Sequence, residues 1–348
     1  MKHDRLSIEV SVPQEFSWDV NIAYMSRSTN ECMHRLLDGQ RVLKYIALPT
    51  AGNMLLQVSS GTEMDAGAGV RGGDGTGAGA GASAGVGVDE GEGGRRLAGS
   101  GAGAGAGASS IRVDVIGGAE AGELARLEIA AYVREWFDLD RDLGPFYELA
   151  ERDELLNQVV AKFYGLRVIG IPELFEAICW GIIGQQINLT FAYTLKRRFV
   201  ETFGQRLDWE GESYWLFPRA ELIASLSTAD LTPLQLTGKK SEYIIGVAKL
   251  LADGELSREQ LLAFGDASLA EKRLVGIRGI GPWTANYVMI RCLRAPSALP
   301  LADVGLHNAI KLLRAMDRKP TLTEVSDLFA AWPGWESYAT FYLWRTLY

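Results

Sequence analysis

The sequence predicts an α+β chain: a small N-terminal antiparallel αβ domain followed by a longer all-α unit. Three observations carry that reading. Apolar residues alternate with period two in several stretches of residues 1–125. From about residue 126 the apolar spacing becomes three-to-four. Near the C-terminal end, GIRGIGPWTANY (276–287) breaks a helical pattern with three glycines and resumes it at once with large aromatics.

In the first domain, SIEVSV, the segment around RVLKYIALP, MLLQVSS (54–60) and IRVDVIGG (111–118) read as strands, and SRSTNECMHRLL (26–37) reads as a helix. Between the last two strands, residues 65–110 are mostly Gly, Ala and Ser. Such a segment buries too little apolar surface to offset its ordering entropy, so it is expected as a flexible insertion in one hairpin loop. In the second unit, LARLEIAAYVREWF, PFYELAERDELLNQVVAKFYG, PELFEAICWGII, NLTFAYTLKRRFVETFG and SEYIIGVAKLLADG read as helices. Gly204 and Gly254 stand at helix ends. This gives domains 1–125 and 126–348. Within the second, a central subdomain of about 172–295 sits beside one formed by 126–171 plus 296–348.

Composition limits the function classes. The chain has 348 residues, 47% hydrophobic and 22% charged, with no apolar run of membrane-spanning length and no apolar core in its first twenty residues. Cys32, Cys179 and Cys292 are too far apart for a disulfide framework or a metal-ligand spacing, which fits a reducing cytoplasm. The net charge of −8 lies wholly in residues 1–170, which hold 16 basic and 24 acidic side chains, whereas 171–348 are balanced at 19 of each. Lys272, Arg273, Arg278, Arg291 and Arg294 face only Glu271 in 271–294. This is either a solvated helix face or a local basic surface for phosphate, which net charge does not exclude.

The break itself reads as helix EKRLVGI, turn RGIG, helix PWTANYVMIRCL, with Pro282 in the first turn of the second helix. Gly279 and Gly281 permit the turn and leave N–H groups exposed at a helix start, where Thr284 follows; that is either a plain αα turn or an anion site for a backbone phosphate. Downstream, in ALPLADVGLHNAIKLL, Asp303 stands where a helix N-cap belongs. A capping position is also compatible with a carboxylate held at a pocket mouth.

Together, LVGIRGIGPWTANY and P-x-x-D-x-G-L some twenty residues later resemble the helix-hairpin-helix DNA glycosylase superfamily, and within it the 3-methyladenine DNA glycosylase II branch. The stretch 136–188, with its Gln185-Gln186 pair, and WPGWESYATFYLWR (332–345) are similar to that branch. The likeness covers roughly 133–348; the N-terminal domain matches in architecture alone, and the Gly/Ala insertion departs from the pattern.

The resemblance implies a monofunctional glycosylase for alkylated purines in double-stranded DNA, acting in base excision repair as a cytoplasmic, nucleoid-associated monomer. Asp303 is then the catalytic carboxylate. Trp283, Tyr287 and Trp344 line an electron-rich base pocket, with Tyr338 and Phe341 left to the core. Gln185, Gln186 and Ile187 supply the wedge that fills the stack, and Gly279, Gly281 and Thr284 meet phosphate. Trp283 stands where bifunctional relatives carry a nucleophilic lysine, so no lyase activity is implied. The main-chain carbonyls of Val275, Ile277 and Ile280 align with a monovalent-cation site. No cysteine follows Cys292, so no iron–sulfur cluster is expected. Two alternatives remain at this point: a glycosylase for oxidised or deaminated bases, and a catalytically silent DNA-binding module.

Overall fold

The computed structural model describes residues 6–61, 110–119 and 122–347. Strands β1 (Ser7–Ser11), β2 (Arg35–Leu37), β3 (Arg41–Leu48), β4 (Gly52–Ser60) and β5 (Ser110–Gly118) form one antiparallel sheet in the order β1-β5-β4-β3-β2. Val42 pairs with Val58 and Ile46 with Met54, and Val58 stands opposite Val113. The sequence flanking the Gly/Ala insertion therefore does form a hairpin pair. The insertion itself, Ser110 apart, lies outside the described residues.

The helix expected at 26–37 is not there. Helix α1 occupies Trp18–Met25 instead, capped by the Ser17 side chain, and residues 26–34 run irregularly into β2. The cause is local competition for backbone donors. The Glu31 carboxylate accepts from the N–H groups of Cys32 and Met33, and Ser28 Oγ accepts from Asn30 N. Side-chain acceptors of this kind displace helical bonds.

The helical unit follows as α2 (Glu123–Trp136), α3 (Gly144–Glu151), α4 (Glu154–Lys162), α5 (Leu174–Ile183) and α6 (Leu189–Phe203). It is not all-α, as the sequence reading had it. Strands β6 (Gln205–Trp209) and β7 (Glu212–Leu216) form a hairpin closed by Glu210 and Gly211, at φ 50° and 82°. Two successive left-handed residues suit a two-residue hairpin turn. This hairpin packs Tyr214, Leu207 and Trp209 on the outer face of the sheet, against Leu43, Tyr45 and Leu55. The inner face, through Val42, Ile46 and Val58, joins the helical core. β3 is thus buried on both faces, which is why RVLKYIALP reads as an unbroken apolar run.

The remaining helices are α7 (Ala220–Ala224), α8 (Thr228–Leu231), α9 (Gly238–Ala252), α10 (Arg258–Ala263), α11 (Ala267–Val275), α12 (Pro282–Arg291), α13 (Val304–Leu313), α14 (Leu322–Phe329) and α15 (Glu336–Arg345). Every residue of α5 is buried, so it serves as the central post, with α6, α9 and α12 packed around it. Helix α13 packs on α15, and α15 on α4. Among the described residues no helix is long and apolar enough to cross a membrane.

Candidate active site

Helices α11 and α12 form a hairpin whose turn spans Gly276–Gly281. Buried Ile277 and Ile280 pin it, and the Ile280 N–H donates to the Ile277 carbonyl at 3.0 Å. Its two functional glycines do different work. Gly279 lies at φ +96°, and a Cβ there would come within 2.2 Å of the Tyr243 ring. The fold itself demands glycine at that position. Gly281 is the N-cap of α12, and a Cβ there would meet nothing within 4 Å. The fold does not require glycine at 281. Its missing side chain leaves the N-terminus of α12 uncovered.

Two expected contacts are relocated. Thr284 is 1% exposed, so its hydroxyl is turned inward and offers no side-chain contact to phosphate. Gln185 explains why: its Nε2 donates to the Gly279 carbonyl at 2.9 Å and to Thr284 Oγ1 at 3.1 Å. Gln185 thereby ties the end of α5 to the hairpin turn, and its side chain is not a wedge. Gln186 is the exposed member of the pair, held at φ 57° in the loop before α6, with Ile187 beside it on the cleft wall.

Asp303 caps α13, as its sequence position suggested, and is 8% exposed. Its Oδ1 accepts from Leu306 N at 2.5 Å and from the Trp344 indole N–H at 2.7 Å. Its Oδ2 accepts from the Trp283 indole N–H at 2.6 Å. Oδ2 has the fewer donors and keeps capacity for a further one. The carboxylate opens on a cleft of about 200 Å³. Trp283 stacks on Tyr287 with centroids 5.6 Å apart and planes 22° apart, and Tyr287 lies 6.4 Å from Trp344. The three expected aromatics are therefore together, and two of them also orient the acid. Burial pushes the Tyr287 phenol up from its ordinary range. Tyr338 and Phe341 are in the core, 1% and 0% exposed.

The rest of the cleft was not visible in any motif. Tyr24 and Arg27, from the N-terminal domain, line its inner end together with Trp180 and Arg291. Leu189 and Ala192, on the first turn of α6, line it beside Ile187.

A glycine-cornered helical hairpin stands beside a helix-capping, indole-held aspartate in an aromatic cleft, the arrangement that the resemblance to helix-hairpin-helix base-excision enzymes implies. The model of the HhH-GPD superfamily base excision DNA repair protein matches residues 179–333, and that of the 8-oxoguanine DNA glycosylase N-terminal domain matches 84–178. The chain is 45% identical to the DNA-3-methyladenine glycosylase of Bacillus subtilis (strain 168), over 98% of this chain and 97% of that protein. It is 30% identical to DNA-3-methyladenine glycosylase 2 of Escherichia coli (strain K12), over 55% of this chain and 64% of that one. In fold it is similar to a 3-methyladenine DNA glycosylase from Archaeoglobus fulgidus, with TM-score 0.69, 18% identity and 97% of each chain covered. A Clostridium acetobutylicum 8-oxoguanine glycosylase/lyase, solved with double-stranded DNA, gives TM-score 0.66 at 17% identity over 99% of this chain and 98% of that one. The chain belongs to the helix-hairpin-helix DNA glycosylases, in the 3-methyladenine DNA glycosylase branch. It is a DNA-binding hydrolase of N-glycosyl bonds in base excision repair.

Proposed function

We propose that this glycosylase excises alkylated purines from double-stranded DNA as a monomer, by hydrolysis alone. The observation that carries the reading is the Asp303 carboxylate, fixed by the Trp283 and Trp344 indoles at the mouth of a cleft that those same rings line. A damaged nucleotide leaves the stack and enters the cleft, with Gln186 and Ile187 filling the gap. The C1′–N9 bond breaks and its electron pair leaves on the purine. Positive charge on the sugar is met by Asp303. Water adds to C1′ and its proton passes to Asp303 or solvent. An alkylated purine is a good leaving group, and stacking with cation–π contact is worth about 0.5–2 kcal/mol per ring.

Hydrolysis without strand cleavage is supported by Trp283 at the hairpin position and by the absence, among the described residues, of any lysine lining the cleft. The hairpin backbone at Gly279 and Gly281 would hold a phosphate, with the N–H groups at the start of α12 as donors. Val275, Ile277 and Ile280 border one concave face of the turn. Their neutral carbonyl oxygens suit a hard monovalent cation, which would add positive field for that phosphate. No iron–sulfur cluster is proposed, since the three cysteines are remote from one another in the sequence.

The test is Asp303→Asn in a single-turnover abasic-site assay, with mass spectrometry of the bases freed from methylated DNA. The rate should fall on the order of 10³-fold with duplex binding retained. An unchanged rate would overturn the mechanism. Strand scission without alkali would overturn the monofunctional assignment.

A further inference from the structure

The first turn of α6 carries two large apolar side chains that the core does not claim. Leu189 is 37% exposed and Phe191 36%. The turn they stand on is firmly set. Asn188 caps it, its side-chain oxygen accepting from Phe191 N at 2.8 Å. Further along the helix, Leu195, Phe199 and Val200 are buried. Burial of apolar surface is what holds such a helix in place, and Leu189 gives up part of it.

The two side chains differ in where they stand. Leu189 lines the cleft, between Ile187 and Ala192, whereas Phe191 is not among the residues that line it. Gln186 is not among them either: it is exposed in the loop before α6, at φ 57°. Leu189 thus shares a cavity with Asp303, Trp283 and Trp344, and the wedge residue Gln186 does not.

The side chains around Leu189 in the cleft also differ by source. Ile187, Leu189 and Ala192 are its only aliphatic side chains among the described residues, and all three come from the start of α6 and the loop before it. The rings and the acid come from other elements. A purine drawn from the stack is flat and has two faces. Stacking and cation–π attraction reward the face that meets indole or phenol. The remaining surface gains only if water is kept off it, which a branched aliphatic side chain does whatever charge the base carries.

We propose that Leu189 grips the extruded base inside the cleft and takes no part in filling the gap left in the duplex. This deepens the base-flipping reading above and rests on it. The test titrates wild type, Leu189→Ala, Leu189→Met and Phe191→Ala with two duplexes. One carries 7-methylguanine on a 2′-fluoro sugar, whose glycosidic bond survives the titration. The other carries a tetrahydrofuran abasic analogue, which needs the gap filled but brings no base.

In Leu189→Ala the affinity for the base-bearing duplex, taken relative to the abasic one, should fall about tenfold. Leu189→Met keeps the apolar contact and should hold that ratio within about twofold of wild type. Phe191→Ala, cut back on the same turn outside the cleft, should leave it unchanged. An unchanged ratio in Leu189→Ala would overturn the proposal. So would a parallel loss for both duplexes, which would make Leu189 part of the wedge. An equal fall of the ratio in Phe191→Ala would also overturn it, by showing that any damage to the turn has the same effect. Wild type that binds the 7-methylguanine duplex no better than undamaged DNA would instead sink the alkylpurine reading itself, so the two failures are separable.

Discussion

On one side of the cleft, Asp303, Trp283 and Trp344 are placed by short-range rules: a glycine-cornered turn, a helix cap and two indole bonds, all within residues 276–344. On the other side, Tyr24 and Arg27 are placed by contacts that span most of the chain. Arg27 bonds Tyr193, 166 residues away. The irregular segment that carries it is anchored by Glu31, which shares Lys196 with Glu176. Lys196 bonds Glu176 at 2.8 Å and lies 3.6 Å from Glu31, all three largely buried. One wall is therefore built by backbone geometry, and the other by a desolvated charge cluster that bridges two domains.

That contrast can be broken from the charge-cluster side first. Lys196→Met removes the cation that two buried carboxylates share, and should cost about 3–5 kcal/mol in denaturant unfolding. The same cluster sets the response to acid. Burial works to raise the Glu31 carboxyl, but Lys196 and the neighbouring cations outweigh it and hold it at about 2. A depressed carboxyl stabilises the fold above its unfolded value and loses that contribution as pH falls through the folded one. Stability should therefore drop between roughly pH 4.5 and 2, and Glu31→Gln should flatten that part of the profile.

The hairpin wall predicts a split between neighbouring glycines. Gly279→Ala meets both the left-handed backbone and the Tyr243 ring, and should destabilise by at least about 2 kcal/mol. Trp283→Phe keeps a ring in the stack but removes the indole donor to Asp303, so kcat should fall about tenfold, with a smaller change in binding of abasic duplex. Gly281→Ala should leave the melting temperature unchanged and weaken duplex affinity by a few-fold, read by titration at fixed salt. Equal melting temperatures for the two glycine variants would show that the turn tolerates what its geometry forbids.

These differences also explain what could be read in advance. The hairpin and the capping aspartate were legible because each answers a local demand that residue type announces, whereas the three aromatics were placed at a pocket only by the family resemblance. Tyr24 and Arg27 answer no such demand; their place depends on how the sheet docks on α5 and α6. The misplaced helix at 26–37 has the same origin, since Ser28 and Glu31 compete for the backbone in ways that apolar spacing ignores. The β6–β7 hairpin was overlooked between long helices, although Glu210-Gly211 was a usable turn signal. Gln185 looked like half of a wedge because its role as a clamp on Gly279 spans 94 residues.

The β6–β7 hairpin, seated on the outer face of the N-terminal sheet, also bears on how the molecule comes apart. Cutting the chain ahead of α2 would strip Leu207, Trp209 and Tyr214 of their cover and remove Tyr24 and Arg27 from the pocket floor in the same stroke. Trimming away the first strands would therefore uncover that apolar face and open one wall of the cleft at once.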